Sequence, residues 1–92
     1  VYVGVGGEIE GLINPDLSVQ AGNIVQINVL NGDGVSHDLA LPALGVQTAL
    51  GMARDKMVSV TFKADQSGVY PYTCTVSGHR QAGMEGRLVV AP

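Results

Sequence analysis

The chain has 92 residues, of which 46% are hydrophobic and 14% are charged, and its formal net charge is −3. This composition can bury one small core, so we expect a single domain over residues 1–92. The five basic residues are scattered along the chain, which excludes the basic patch that nucleic-acid binding requires. No apolar run approaches the roughly 18 residues of a membrane-spanning helix, and no signal-peptide pattern is present.

Short β-type segments, separated by turns, run through the chain. Thirteen glycines and four prolines are typical of an all-β sandwich with many turns. In the first half the pattern predicts strands over residues 1–5, 16–20, 24–30 and 38–41. The segment 24–30 alternates most cleanly, with its apolar residues on one face. The Asn-Gly-Asp-Gly run at 31–34 then predicts a loop.

The second half predicts a loop followed by three strands. Residues 43–55 lack clean alternation and are interpreted as a loop that holds one helical turn. An alternating strand follows at 58–63, and Met57 at its start is interpreted as a core residue. Strands over 70–74 and 87–91 bring the total to about seven or eight, which we expect to pack as two sheets.

Cys74 is the only cysteine in the chain, so it cannot form an internal disulfide. Four residues separate Cys74 from His79, and four more separate His79 from Met84. Thiolate and thioether ligands select copper, and a His₂Cys plane with a weak axial methionine is the blue-copper electron-transfer arrangement. The only other histidine, His37, would supply the second nitrogen. These residues predict one copper ion as the cofactor.

Two turn signals lie between these candidate ligands. Ser77-Gly78 would reverse the chain after Cys74, and Ala82-Gly83 would turn it again toward Met84. With both histidines committed to this site, none remains for a Ser/His/Asp triad or for a second, histidine-rich copper site. We therefore expect no autonomous enzymatic activity.

Each candidate residue also has an ordinary structural interpretation. A lone buried cysteine is commonly an inert apolar residue, and His37 is also compatible with a histidine at a strand start. Met52 and Met57 are competing thioethers. Tyr70 and Tyr72 are interpreted as core residues, with electron hopping as the alternative. The joint spacing of cysteine, histidine and methionine favours the metal site.

Two runs of residues resemble a known family, and the likeness covers nearly the whole chain. They are Gly68-x-Tyr70-x-Tyr72-x-Cys74 and Gly78-His79-x-x-Ala82-Gly83-Met84-x-Gly86. This pattern resembles the cupredoxins, the family that includes plastocyanin, pseudoazurin, azurin and auracyanin. The four-residue gaps on both sides of the histidine resemble auracyanin-like domains and the extra cupredoxin domains of some multidomain copper nitrite reductases.

The resemblance implies a Greek-key β-sandwich that holds one type 1 copper. The implied ligands are His37, Cys74, His79 and Met84. It also implies a contact between Asp38 and Thr75 that ties the two ligand loops together, with Asp38 standing where asparagine is commoner. Its members imply a periplasmic or other extracytoplasmic location.

Three functions are consistent with these features. The first is single-electron transfer to a redox-partner protein that binds briefly at a surface patch. The expected patch contains His79, Arg80, Pro42, Ala43 and Leu44, with an ordinary solvated loop as the alternative for Arg80. The second is an electron-entry domain for an adjoining catalytic copper domain. The chain starts at Val1 rather than at methionine, which fits a processed protein or a domain of a longer chain. The third, copper binding or storage, is disfavoured because storage would use exposed ligand clusters.

Overall fold

The chain folds into seven strands arranged in two sheets. The structure is a computed structural model that describes all 92 residues. The strands are β1 (Leu17–Gln20), β2 (Ile24–Leu30), β3 (Ala40–Leu41), β4 (Val46–Gln47), β5 (Met57–Lys63), β6 (Gly68–Thr73) and β7 (Glu85–Ala91). The helical segments are two short 3-10 turns, Gly7–Ile9 and Pro42–Leu44. None of the helical segments could cross a membrane. The predicted two-sheet β-sandwich is confirmed.

The larger sheet carries the strands that flank the candidate metal-binding loops. Its order is β1-β7-β6-β3-β4, with β1 parallel to β7 and the other pairs antiparallel. β6 and β7 pair from Gly68 opposite Val90 to Thr73 opposite Glu85. Residues 74–84 therefore connect two neighbouring strands of one sheet. On its other side β6 pairs with β3 through Ala40 and Thr73, which brings the chain just after His37 close to Cys74.

β2 and β5 form the second sheet as an antiparallel pair. Val25 lies opposite Phe62 and Val29 lies opposite Val58, so apolar residues of the two strands meet across the ladder. This inward face packs against the core of the larger sheet. The alternation read from the sequence at 24–30 and 58–63 thus corresponds to two real strands.

Tyr72 is the largest fully buried side chain, and it anchors the strand that leads to Cys74. Its hydroxyl donates a hydrogen bond to the backbone carbonyl of Pro15 at 2.6 Å. Its ring packs edge-on against Tyr2, with 5.3 Å between the ring centroids. Burial raises the pKa of Tyr72 to about 12, so the hydroxyl stays protonated and remains a donor. Tyr70 packs partly against the same core, so both tyrosines serve as packing residues.

The strand predicted at residues 1–5 is wrong. Only an isolated bridge between Val3 and Ile13 forms there, and Val1, Val3 and Val5 are exposed. The backbone of Gly6 has a φ of 78° and leads into the 3-10 turn that begins at Gly7. These left-handed glycines turn the chain back, and residues 2 and 4 bond to the backbone at 11–14, but Tyr2 N donates to the Asn14 side chain and no regular strand forms.

The segment 38–55 also differs from the sequence prediction. The strand predicted at 38–41 is shorter, because Leu39 N donates to the Thr48 hydroxyl at 3.1 Å instead of to a neighbouring strand. A helical turn is present at Pro42–Leu44, overlapping the start of the segment 43–55 in which one was expected, and a short strand that the sequence did not reveal, β4, pairs with β3. Two residues give too little alternation to be recognised from sequence.

Met57 is not a core residue, contrary to the sequence interpretation. Its side chain is 55% exposed, whereas its neighbour Val58 is buried. Successive residues of a strand point to opposite faces, so a buried Val58 places Met57 outside. Leu30, its cross-strand partner, is likewise 55% exposed.

Gly86 lies opposite Tyr72 in the β6–β7 ladder, and only a glycine leaves room for that ring. A Cβ atom built at Gly86 would overlap the ring and the hydroxyl of Tyr72. We predict that Gly86→Ala lowers the free energy of unfolding by about 1–3 kcal/mol, the usual cost of overpacking. Chemical denaturation of the metal-free protein measures this. Gly34→Ala is the control, since a Cβ at Gly34 meets no atom within 4 Å, and equal effects of the two substitutions would contradict the prediction.

Candidate metal centre

His37 enters the site from the loop that follows β2. Its backbone is paired with Gly51 in both directions, with N···O distances of 3.1 and 2.7 Å. Its imidazole Nδ1 is the one buried side-chain nitrogen or oxygen in the chain that has no hydrogen-bond partner. Buried polar atoms are nearly always paired, so an unpaired ring nitrogen indicates a site for a ligand such as a cation. The other nitrogen, Nε2, is held by Asp33 at 2.9 Å.

Cys74, His79 and Met84 lie on the connection between β6 and β7. Cys74 N donates to Met84 O at 3.1 Å, and Met84 N donates to His79 O at 3.0 Å, so the backbone of Met84 is bonded to those of both Cys74 and His79. The chain reverses at Gly78 and again at Gly83, whose φ angles are 82° and 107°. Residues other than glycine rarely adopt these backbone angles. Both turns predicted from the sequence are therefore present.

The donor atoms of three side chains converge. Cys74 Sγ lies 3.4 Å from His79 Nδ1, and one donor atom each from His37, Cys74 and His79 lie within 4.8 Å of one another. The two imidazole rings are 4.9 Å apart between centroids. A thiol sulfur and two imidazole nitrogens at these separations can surround one cation, and this donor set suits copper. His37 is thus brought to Cys74 and His79, which follow it by 37 and 42 positions in the sequence.

Met84 is the buried methionine of the chain. It is 6% exposed, and it lines a wide, partly open cleft that His37 also lines. The two competing thioethers are on the surface, since Met52 is 69% exposed and Met57 is 55% exposed. Their exposure favours Met84 as the thioether of the site.

Asp38 is buried and joins the two ligand-bearing loops. Its Oδ1 accepts a hydrogen bond from Thr75 N at 2.7 Å, and its Oδ2 accepts from the Thr75 hydroxyl and from Gln47 Nε2, the latter at 2.9 Å. Burial acts to raise the pKa of Asp38, but hydrogen bonds from Thr75 and Gln47 outweigh it and hold the pKa below its ordinary value. The contact between Asp38 and Thr75 is the one implied by the cupredoxin resemblance.

An open groove lies beside Cys74 on the surface. Pro42, Thr75, Ser77 and Arg80 are among the residues that line it. Arg80 forms an ion pair with Glu85 at 2.8 Å, so its charge is partly offset. From the expected surface patch, Pro42 and Ala43 are exposed, as is Arg80, and His79 is half-buried. Leu44 is half-buried like His79 and packs partly against the core.

Three polar residues near the site were not singled out from the sequence. Gln47 donates a hydrogen bond to Asp38, and Asp33 accepts one from His37. Asn31, which is buried, bonds the backbone of the loop that connects β2 to His37. Asn31 and Asp33 belong to the Asn-Gly-Asp-Gly run, which indicated only a loop. Asp33 lies four positions before His37, a spacing that predicts a side-chain contact on a helix but not in a loop. Gln47 offered none, because its strand was not recognised.

The chain belongs to the plastocyanin/azurin family of copper-binding proteins, whose family model matches residues 13–91. Auracyanin-B from Chloroflexus aurantiacus is 53% identical over 34 residues, which are 37% of this chain and 14% of that protein. A solved structure of auracyanin B superposes with a TM-score of 0.70 and 29% identity, over 84% of this chain and 77% of that one. The copper-containing nitrite reductase (NirK) from Thermus scotoductus SA-01 superposes with a TM-score of 0.75 and 32% identity, over 86% of this chain and 20% of that one.

Family and donor set agree on the cofactor. The match covers most of the chain, and the converging cysteine and two histidines form the cluster that a type 1 copper requires. The chain is therefore a cupredoxin with a single type 1 copper. It matches only a small part of auracyanin-B in sequence and a fifth of the nitrite reductase in structure.

Asp38 provides a test of how the two loops are held together. We predict that Asp38→Ala weakens copper binding about tenfold or more, because outer contacts orient the ligands and their loss usually costs that much. The substitution also leaves Thr75 N without its acceptor. Competition titration with a copper chelator measures the affinity. Asp65→Ala, which removes an exposed carboxylate near Lys63, is the control, and equal affinities of the two variants would refute the role of Asp38.

Proposed function

We propose that this chain transfers single electrons through one copper ion. The proposed ligands are His37, Cys74, His79 and Met84. The observation that carries the proposal is the convergence of the Cys74 sulfur with two imidazole nitrogens within 4.8 Å, together with the buried, unpaired Nδ1 of His37. Copper bound there supplies a reversible one-electron Cu(I)/Cu(II) couple. Residues 1–92 are proposed to form one cupredoxin domain.

The protein's part in this function is to hold the donor atoms in one arrangement. The backbone bonds among Cys74, His79 and Met84 restrain the connection between β6 and β7. The Asp38 carboxylate restrains that connection against the loop that carries His37. Donor atoms held on a rigid scaffold need little rearrangement when the metal's charge changes, and this favours rapid electron exchange.

The proposed docking surface lies beside Cys74 and His79. Gly78 and Arg80, the two neighbours of His79, both line the groove there. The ion pair of Arg80 with Glu85 leaves the surface weakly charged. A small, weakly charged contact suits a redox-partner protein that must dissociate quickly. The proposed location is the periplasm or another extracytoplasmic compartment, as for the family that the chain resembles.

Cys74→Ser tests the proposed ligand set. Serine has nearly the same size but lacks the thiolate, so the intense visible absorption of a copper–thiolate bond should disappear from the copper-loaded protein. Met52→Leu, which removes an exposed thioether, should leave the absorption and the reduction potential unchanged, whereas Met84→Leu should shift the potential. Absorption spectra and voltammetry provide the readouts. Retention of the band in Cys74→Ser would show that another residue supplies it.

Copper storage is the weaker alternative. Cys74 and Met84 are buried, and His37 is largely so, which leaves the donors enclosed rather than displayed for exchange. Storage needs ligands that take up and release metal readily, and an enclosed, preorganised set is better suited to retaining it.

The second candidate function is electron entry into a larger copper oxidoreductase. The observation that favours it is the likeness to NirK from Thermus scotoductus SA-01, at 32% identity over 86% of this chain but only 20% of that one. The adjoining partner would then be a catalytic copper domain. The full-length reading frame distinguishes this candidate from a separate carrier.

We predict that the isolated 92-residue chain cycles between oxidised and reduced copper with an electrode but does not reduce nitrite at enzymatic rates. The reason is that the two histidines of the chain both belong to one site, so no second metal site can form from histidine. Steady-state nitrite assays on the purified chain measure this. Sustained turnover would overturn the non-catalytic assignment.

Paired arginine variants test the docking surface in the same assay once a partner or catalytic domain is added. Arg80→Ala should slow electron transfer, because Arg80 lines the groove beside Cys74. Arg87→Ala is the matched control. Arg87 lies on β7, is exposed like Arg80, and likewise forms an ion pair with a carboxylate, that of Asp16. Equal rates in the two variants would direct the search to another face of the sandwich.

A further inference from the structure

The second ring nitrogen of His37 has a partner of its own. Nε2 lies 2.9 Å from Asp33 Oδ1 and 3.0 Å from Asp33 Oδ2. An ionised carboxylate can only accept, so Nε2 carries the hydrogen and donates it. In the neutral ring Nδ1 is then the unprotonated nitrogen, and Nδ1 is the buried atom without a partner.

Hydrogen bonds within the loop hold the Asp33 carboxylate in place. Asp33 N donates to Asn31 Oδ1 at 2.9 Å, and Asp33 Oδ1 accepts from Val35 N at 2.8 Å. Asn31, which is buried, donates in turn to the backbone carbonyls of Val35 and Gly51 at 2.7 and 2.8 Å. Gly51 is also the backbone partner of His37. Carboxylate and imidazole are therefore fixed within one bonded framework.

We propose that Asp33 is a positioning residue that fixes the tautomer of His37 and holds down the reduction potential of the copper. The proposal rests on the proposed function, because it takes Nδ1 of His37 as a copper ligand. A carboxylate on the far nitrogen of a ligating histidine orients the ring and makes the ligating nitrogen more basic. A more basic nitrogen and a nearby negative charge both stabilise Cu(II) more than Cu(I), since Cu(II) carries the larger charge.

The direct hydrogen bond contributes more than the field of the charge. The Asp33 side chain is 56% exposed, so solvent and salt screen its charge at the metal. The hydrogen bond instead acts directly on the ring of His37, whose side chain is only 15% exposed. Removing both effects should therefore change the site more than removing the charge alone.

Three variants of the full chain separate these contributions. Asp33→Ala removes the hydrogen bond and the charge, whereas Asp33→Asn keeps an acceptor oxygen and removes the charge. Asp65→Asn is the charge control, because Asp65 is an exposed carboxylate in the turn after β5. The first readout is nitrogen NMR of the metal-free protein at a pH where histidine is neutral. His37 should be the Nε2–H tautomer in the wild type and in Asp33→Asn, and should lose that preference in Asp33→Ala.

The second readout is the reduction potential of the copper-loaded variants. Asp33→Ala should weaken Cu(II) binding about tenfold relative to Cu(I), which corresponds to a potential raised by about 59 mV. Asp33→Asn should raise the potential by a smaller amount, and Asp65→Asn should not change it. An unchanged His37 tautomer in Asp33→Ala, or a potential no higher than that of Asp65→Asn, would overturn the assignment.

The role of Asp33 and the function of the copper site are tested separately by these measurements. If the wild-type protein binds copper with intense thiolate absorption and Asp33→Ala changes neither tautomer nor potential, only the role of Asp33 is wrong. If the wild-type protein lacks that absorption, the proposed function is wrong and the assignment of Asp33 is overturned with it.

Discussion

A single buried carboxylate holds together the parts of the chain that form the copper site. The Asp38 carboxylate accepts hydrogen bonds from Thr75, on the connection between β6 and β7, and from Gln47 on β4. The backbone carbonyl of Asp38 accepts one from the Tyr2 hydroxyl. A buried charge is costly unless its hydrogen-bonding capacity is used. The partners of the carboxylate come from two separate segments and the partner of the carbonyl comes from a third, so satisfying this one residue aligns all three. A fully satisfied polar network of this kind stiffens the structure around it.

The scaffold beneath that network is the pairing of β6 with β7. Tyr72 is buried between its contacts with Tyr2 and Pro15, and the absence of a side chain at Gly86 lets the two strands close around its ring. Because Thr73 pairs with Glu85, the connection that carries Cys74, His79 and Met84 begins and ends on adjacent, well-packed strands. This connection is only eleven residues long, and hydrogen bonds within its own backbone limit its mobility further.

The protein holds the two histidines differently. His37 is half-buried and is paired with Gly51 through its backbone and with Asp33 through Nε2. His79 is half-buried, and its neighbours Gly78 and Arg80 line the surface groove. One ring is thus bonded by a carboxylate of the protein, while the other lies between two residues of the surface groove.

The sequence by itself determined the fold class and the chemistry of the site. Alternation at 24–30 and 58–63 marked two strands, and one cysteine spaced from His79 and Met84 named the metal, because periodicity and ligand softness are local properties. The predictions of a strand at residues 1–5 and of a buried Met57 were wrong. Left-handed glycines turn the chain after residue 5, and the register of β5 places Met57 on the outer face. Only the tertiary structure decided that Gln47 supports Asp38 and that Asp33 faces His37 Nε2. Such contacts depend on how loops pack, and no periodic pattern along the chain records that packing.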